Sequence, residues 1–140
     1  MKTFICTHKA QYYETDQMGI IHHSNYIRWF EEARVGFLEE IGYPYARLEK
    51  EMKLLSPVLE VQCQYRSMVH FGDTVDLCAR VESTNGIKLK FEYEIRDHFT
   101  HELRTNGFSK HCFLNEEGVP VSLKKSYPEL YQVLLECSRP

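Results

Sequence analysis

The sequence lacks the features that mark several common classes of protein. No run approaches the ~20 consecutive apolar residues that a membrane-spanning helix needs. The segment MKTFICTHKAQYY at the amino terminus has no apolar stretch or small-residue cleavage site of the kind found in a secretion signal. Basic residues are not in excess, since 17 lysines and arginines against 20 aspartates and glutamates give a formal charge of −3. We therefore expect a cytoplasmic protein with no membrane span and no nucleic-acid partner.

Paired cysteines and flexible linkers are also missing. The five cysteines are an odd number, widely spaced and without a C-x-x-C pair, so free buried thiols are expected and not a disulfide framework. No internal repeat and no stretch rich in proline, glycine and serine divides the 140 residues. This length suits one compact domain, and we expect residues 1–140 to form a single domain.

The best helix signal lies in the first half of the chain. Apolar residues that recur every three or four positions share one helix face: Tyr26, Phe30, Ala33, Phe37 and Ile41. Ser24 or Asn25 can cap the start, and Gly42 follows the last apolar residue, as is common at helix ends. Trp29 widens the apolar face, so this helix is expected to be covered on several sides.

The second half is typical of an antiparallel sheet. Apolar and polar residues alternate over residues 59–66, 75–82 and 87–96, which predicts strands with one face in water and one on a core. Turns are expected at residues 71–73 and 84–86, the second with an Asn-Gly pair.

Weaker signals complete the pattern. They predict a first strand within residues 3–13, a last strand near 105–114 and small helices near 44–52 and 128–137. The final helix is expected to begin at Ser126, with Glu129 completing a capping box. The resulting α+β architecture is a five-stranded antiparallel sheet wrapped around one long central helix. Its free edges favour a dimer with a continuous sheet.

The segment between the first strand and the long helix carries the candidate chemistry. Asp16 precedes the amino terminus of the helix, and Gly19 permits a tight turn between them. Free N–H groups at a helix start can hold a developing oxyanion while a nearby carboxylate acts as base or nucleophile. The alternative is that Asp16 only caps a turn.

A motif in this segment resembles a known family. The pattern Y-x-x-T-D-x-x-G-I-I-x-H-x-N-Y from Tyr12 to Tyr26, followed by F-E-x-A-R at residues 30–34, is similar to the 4-hydroxybenzoyl-CoA thioesterase/YbgC-type family of hotdog-fold acyl-CoA thioesterases. The resemblance extends to Gly72-Asp73, Gly107 and His111-Cys112, and so covers most of the chain. It implies a hotdog fold, a homodimer or homotetramer, and hydrolysis of an acyl-CoA or acyl-carrier-protein thioester without metal or cofactor.

The same resemblance assigns roles to individual residues. Asp16 aligns with the family's catalytic aspartate, which either attacks the thioester carbonyl or activates a water molecule. The backbone N–H of His23 is expected to polarise the thioester oxygen, and Gly19, Asn25 and Tyr13 are expected to bind substrate.

The chain departs from the family pattern at three places. Many relatives have aspartate where Glu14 stands, an aromatic residue at His22 and proline at Met68. Glu14 and His22 are expected beside the site, where they could alter the acyl pocket. Two alternatives remain open: a hotdog hydratase or dehydratase with an acid–histidine pair, and a non-catalytic acyl-binding dimer.

Other titratable residues receive simpler interpretations. The adjacent pair His22-His23 does not have metal-ligand spacing, because neighbouring side chains diverge. The remaining histidines are expected to be surface or strand residues: His8, His70, His98, His101 and His111. Cations on the predicted strands are candidates for binding coenzyme A phosphates: Arg66, Lys88, Lys90, Arg104 and Lys110.

Overall fold

A five-stranded antiparallel sheet with one long helix packed on it forms the protein, of which a computed structural model describes all 140 residues. The strands are β1 (Phe4–Lys9), β2 (Val58–Tyr65), β3 (Thr74–Thr84), β4 (Lys88–Asp97) and β5 (Leu103–Cys112). Their order across the sheet is β1-β3-β4-β5-β2, with all neighbours antiparallel. The helices are α1 (Ser24–Glu40), α2 (Leu123–Ser126) and α3 (Pro128–Cys137), with a single 3-10 turn at Tyr12–Glu14 and a π-helical turn at Arg47–Glu51. The predicted fold class is confirmed.

The β3–β4 hairpin follows the predicted alternation. One face of each strand is buried in the core: Val75, Leu77, Ala79 and Val81 on β3, and Leu89, Phe91, Tyr93 and Ile95 on β4. The turn between them uses Gly86 at φ +88, and the Asn85 side chain accepts hydrogen bonds from the backbone N–H groups of Ile87 and Lys88. Both the strands and the Asn-Gly turn are as expected.

Helix α1 packs against β1 and β3 through the predicted apolar face. Its amino-terminal cap is His23, so the expectation of Ser24 or Asn25 is wrong. Both of those side chains are engaged elsewhere: the Ser24 hydroxyl with His22 Nδ1, and the Asn25 amide with the carbonyl group of Glu14. The face with the helix's glutamates remains exposed, so in the single chain α1 is covered on one side only.

Strand β2 differs from the prediction for its apolar face. It pairs only with β5, and its apolar residues Leu59, Val61 and Tyr65 are exposed instead of facing the core, because α1 lies mainly over the opposite half of the sheet. The pairing of β2 with β5 depends on Gly107, since a Cβ there would overlap the carbonyl oxygen of Gln62.

The carboxyl-terminal segment also begins differently from the prediction. Helix α3 begins at Pro128 after Tyr127, without a capping box, because Ser126 ends α2 and the fixed φ of proline suits the first helical position. The five cysteines are free, but only Cys137 is buried, and the other four are half-buried because they lie on strands near the sheet surface. None of the helices combines the length and apolar character that crossing a membrane requires.

A chain of polar side chains crosses the core beneath α1. Arg34 is buried without a carboxylate partner and donates hydrogen bonds from Nε to Tyr45 OH at 3.0 Å and from Nη1 to Tyr93 OH at 3.1 Å. Tyr93 OH is 2.5 Å from Ser109 Oγ, which is 2.7 Å from Nε2 of His111. These contacts join α1 to β4 and β5.

Candidate active site

The loop between the 3-10 turn and α1 folds back on itself around Asp16. The Asp16 N–H donates to the carbonyl of Ile20 at 2.8 Å, and the Asp16 carbonyl accepts from the N–H of Gly19 at 3.1 Å. Gly19 has φ +77, a backbone conformation that residues with a Cβ atom rarely adopt. The carboxylate Oδ1 of Asp16 accepts the N–H of Met18 at 2.7 Å. The loop therefore fixes the backbone of Asp16, and the Met18 N–H holds one oxygen of its carboxylate.

Asp16 and His23 line one open cleft of about 400 Å³. The residues around it come from the loop, the start of α1 and the segment after β2: Asp16, Met18, Ile20, Ile21, His23, Tyr26, Tyr65, Arg66, Ser67 and Met68. Its walls are mostly apolar, with one carboxylate and one guanidinium group. This composition suits a substrate with an apolar part and a polar reacting group.

His23, which lines the cleft and caps the start of α1, has an unpaired backbone donor. The N–H of His23 makes no hydrogen bond within the chain, and the residue has φ −55 and ψ −27. Helix amino termini carry partial positive charge in addition to their free N–H groups. The hydroxyl group of Tyr65 donates to the carbonyl of His23 at 3.3 Å, which ties the end of β2 to this position.

Aromatic rings and one cation complete the walls. Tyr26 packs edge-on against Tyr65, with ring centroids 5.2 Å apart, and burial raises the pKa of the Tyr26 phenol. Arg66 donates to Asn106 Oδ1 at 2.9 Å and to Gln64 Oε1 at 2.6 Å, and it has no carboxylate partner. Its guanidinium group is therefore held by two amide oxygens of residues that do not line the cleft.

The other residues predicted to bind substrate lie outside the cleft. Gly19 shapes the loop without lining the cleft. Asn25 is buried and donates to the carbonyls of Glu14 at 2.9 Å and His22 at 3.3 Å, so its amide closes the base of the loop. Tyr13 is 84% exposed on the protein surface.

The candidate phosphate-binding cations are spread over the sheet. Arg66 alone among them lines the cleft. Lys90 and Lys110 lie on the outer face of the sheet, where they pair with Glu82 and Glu60 respectively. No group of three or more histidine, cysteine, aspartate or glutamate side chains has the arrangement of a metal site.

Glu14 is placed differently from the expectation that it borders the acyl pocket. The residue is 5% exposed, and its side chain points into the core, where it meets His8 of β1 and Trp29 of α1. No local sequence pattern indicates this, because the three residues are 6 and 15 positions apart and belong to different elements.

The site unites a fixed carboxylate, a helix amino terminus with a free N–H group and a cleft with apolar walls. Such a set of groups can activate or deliver an oxygen nucleophile and stabilise the oxyanion formed at an acyl carbon. The one serine of the cleft, Ser67, donates its hydroxyl to the carbonyl of Leu103 at 3.0 Å and has no neighbouring base, and no cysteine lines the cleft. The site therefore suits an acyl group that is already reactive. The fold and the site together define a hydrolase of activated acyl compounds.

Comparison with known proteins identifies the family. Residues 11–130 match the model of the thioesterase-like superfamily, and the chain belongs to that family. It is therefore a thioester hydrolase of the hotdog fold, as the sequence motif predicted.

Individual relatives agree with this assignment. The chain is 33% identical over 122 residues to YneP of Bacillus subtilis (strain 168), provisionally named an acyl-CoA thioesterase, and this match covers 86% of the chain and 87% of YneP. It is 24% identical over 87 residues to the acyl-CoA thioesterase YbgC of Haemophilus influenzae, covering 62% of the chain and 64% of that protein. The crystal structure of DHNA-CoA thioesterase from Staphylococcus aureus superimposes with a TM-score of 0.88 at 30% identity, covering 95% of this chain and 89% of that one.

Proposed function

We propose that this protein hydrolyses acyl-CoA thioesters to the free carboxylic acid and CoA, using Asp16 and the backbone N–H of His23. The observation that carries the proposal is that Asp16 and His23 line the same cleft, and that the N–H of His23 has no hydrogen-bond partner within the chain. The names of YneP and YbgC support acyl-CoA as the substrate class.

The geometry suggests how the groups would divide the reaction. The thioester oxygen would accept a hydrogen bond from the N–H of His23, where the helix end favours the developing negative charge. Asp16 would either attack the carbonyl carbon or remove a proton from an attacking water molecule. The thiolate of CoA then leaves as the carbonyl bond re-forms. Attack by water gives the free acid directly, whereas attack by Asp16 leaves a mixed anhydride that a water molecule must hydrolyse to release the acid.

The remaining predicted residues would act in different ways. Gly19 and Asn25 would contribute by fixing the loop, since both hold its backbone. Contact of Tyr13 with substrate stays a prediction, because its exposed ring lies outside the cleft of the single chain.

We further propose that the protein is a cytoplasmic homodimer or homotetramer. The outer edge of β2 is unpaired, and the exposed Val61 and Tyr65 lie on the same strand, at one end of which the cleft opens. A second copy would cover both the edge and these side chains. Sedimentation analysis of the purified protein would test this, and a monomer with full activity would contradict it.

The first experiment compares the wild type with Asp16→Asn on short, long and aromatic acyl-CoAs. The asparagine side chain keeps an oxygen for the Met18 N–H, so the loop should be preserved while the base or nucleophile is lost. We expect kcat to fall by about 10²–10⁴. Loss of the thioester is best followed by its ultraviolet absorbance, because five free cysteines would react with thiol reagents. No turnover by the wild type, or unchanged turnover by Asp16→Asn, would overturn the proposal.

A second pair of variants tests the backbone role of His23. Proline has no N–H, and its fixed φ matches the φ of −55 at this position. His23→Pro should therefore lower kcat by about 10²–10³, whereas His23→Ala, which keeps the N–H, should lower it by less than about tenfold. Equal losses in the two variants would assign the role to the imidazole and not to the backbone.

A further inference from the structure

The carboxylate of Glu14 is the point where three elements meet. Its Oε1 is 2.9 Å from Nε2 of His8 on β1 and accepts the N–H of Gln11 at 2.8 Å. Its Oε2 accepts the indole N–H of Trp29 on α1 at 2.7 Å. The carboxylate therefore links the first strand, the 3-10 turn and the long helix while being almost completely buried.

The backbone of the same residue closes the loop that carries Asp16. The carbonyl of Glu14 accepts the N–H of His22 at 2.8 Å and the side-chain amide of Asn25 at 2.9 Å. Thr15 and Ile21 then form an isolated bridge just inside this closure. Glu14 thus accepts five contacts, three on its carboxylate and two on its carbonyl group.

These contacts explain why a charged group is tolerated in this place. Burial by itself would raise the pKa of the Glu14 carboxyl, but the bonds from His8, Gln11 and Trp29 outweigh it, and the pKa lies below its ordinary value. The other ring nitrogen of His8 is 3.3 Å from Oε2 of Glu32, so this histidine lies between two carboxylates. The group is held as an anion by directed donors.

We propose that Glu14 is a positioning residue for the hydrolysis proposed above: its carboxylate anchors the Asp16 loop to Trp29 and His8, and thereby sets where the Asp16 carboxylate lies relative to the His23 N–H. The inference rests on the proposed function. Only Thr15 separates Glu14 from Asp16, and the pairing of His22 with Glu14 places His23 next to the anchored point. Release of the anchor displaces both catalytic groups at once.

The test uses Glu14→Gln, with Glu94→Gln as the matched control. The Glu14 carboxylate faces N–H donors from Gln11 and Trp29 on its two oxygens, so a carboxamide, which has only one oxygen, must lose one of them without a change in volume. Glu94 undergoes the same substitution on the outer face of the sheet, where Arg80 and Arg96 donate to a carboxylate whose pKa is also lowered. The control therefore loses comparable bonds away from the loop.

Three measurements are made on each variant. For Glu14→Gln we expect kcat to fall roughly tenfold to hundredfold with KM changed by less than about threefold, since misplacement of catalytic groups mainly affects the chemical step. Amide hydrogen exchange of residues 15–23 should become faster, and the emission of Trp29, which is the only tryptophan, should shift. Glu94→Gln should leave all three close to the wild-type values.

The outcomes separate this inference from the proposed function. If the wild type hydrolyses thioesters and Glu14→Gln keeps its kcat, Glu14 is only structural and the inference is overturned. If the wild type hydrolyses no thioester, the proposed function fails. The anchoring role is tested independently of activity, because unchanged amide hydrogen exchange of residues 15–23 in Glu14→Gln would overturn it. Should Glu14→Gln fail to fold, Trp29→Phe removes the indole donor together with part of a buried ring, and a kcat equal to that of the wild type would overturn the inference.

Discussion

A buried histidine makes the stability of this protein depend on pH in a calculable way. His111 on β5 has no exposed surface, and its Nε2 is 2.7 Å from Ser109 Oγ. Its Nδ1 has no hydrogen-bond partner, although the carbonyls of Ser56 and Pro57 lie near enough to favour protonation weakly. Burial, followed by repulsion from the Arg34 cation, lowers the pKa of His111 from 6.5 to about 4. The ring is therefore neutral in the folded protein at neutral pH.

The sign of the effect follows from which state binds the proton. Below pH 6.5 the unfolded chain protonates His111 while the folded chain does not, so the free energy of unfolding falls as the pH is lowered. Below about pH 4 both states are protonated and this contribution stops changing. A difference of this size between the two pKa values corresponds to about 3 kcal/mol lost across the interval.

The assay is urea unfolding of the wild type and His111→Gln at pH values from about 7 to about 4. Glutamine keeps a polar partner for Ser109 but does not titrate. Between about pH 7 and about pH 4 the free energy of unfolding of the variant should therefore fall by about 3 kcal/mol less than that of the wild type. His70→Gln, which changes an exposed histidine, should follow the wild-type curve. If the difference in unfolding free energy between the wild type and His111→Gln changes by less than about 1 kcal/mol over this pH range, His111 is not a buried neutral imidazole with a lowered pKa.

Two further predictions concern the framework around the site. Tyr93→Phe leaves Nη1 of Arg34 and Oγ of Ser109 without their shared partner, so the free energy of unfolding in urea should fall by about 2–3 kcal/mol. A fall of less than about 1 kcal/mol would contradict the importance of this buried hydrogen-bond network. Gly107→Ala places a Cβ against the carbonyl of Gln62, so it should lower the unfolding free energy by about 2 kcal/mol or more and loosen β2. Amide exchange along β2 measures the second effect, and protection equal to that of the wild type would contradict it.

The sequence predicted the elements that local patterns determine. The alternation on β3 and β4 and the apolar spacing on α1 each correspond to one buried face, and the Asn85-Gly86 turn fixes the hairpin between the strands. The apolar face of β2 is exposed despite its alternation, because alternation shows that a strand has two faces and not whether anything covers the apolar one. Position in the sheet order decides that, and sequence order does not reveal it.

The candidate site was predictable only in part. Asp16, Gly19 and the start of α1 are adjacent in sequence, so a motif could suggest that they lie together. Glu14 and His111 could not be assigned in this way, because their surroundings are built by partners on other elements. Tertiary pairing determines both the burial of these groups and their protonation states.

The dependence of the site on backbone groups separates catalysis from substrate choice. The Asp16 carboxylate is held by the N–H of Met18, and the proposed oxyanion donor is the N–H of His23. Both donors are backbone N–H groups, so neither depends on which side chain Met18 or His23 carries. Side chains such as Met18 and Met68 can therefore reshape the acyl-binding wall while the reacting groups keep their positions. Glu14 is the exception, because its side chain fixes the loop from behind, and this is why its anchoring contacts are the more informative target for mutation.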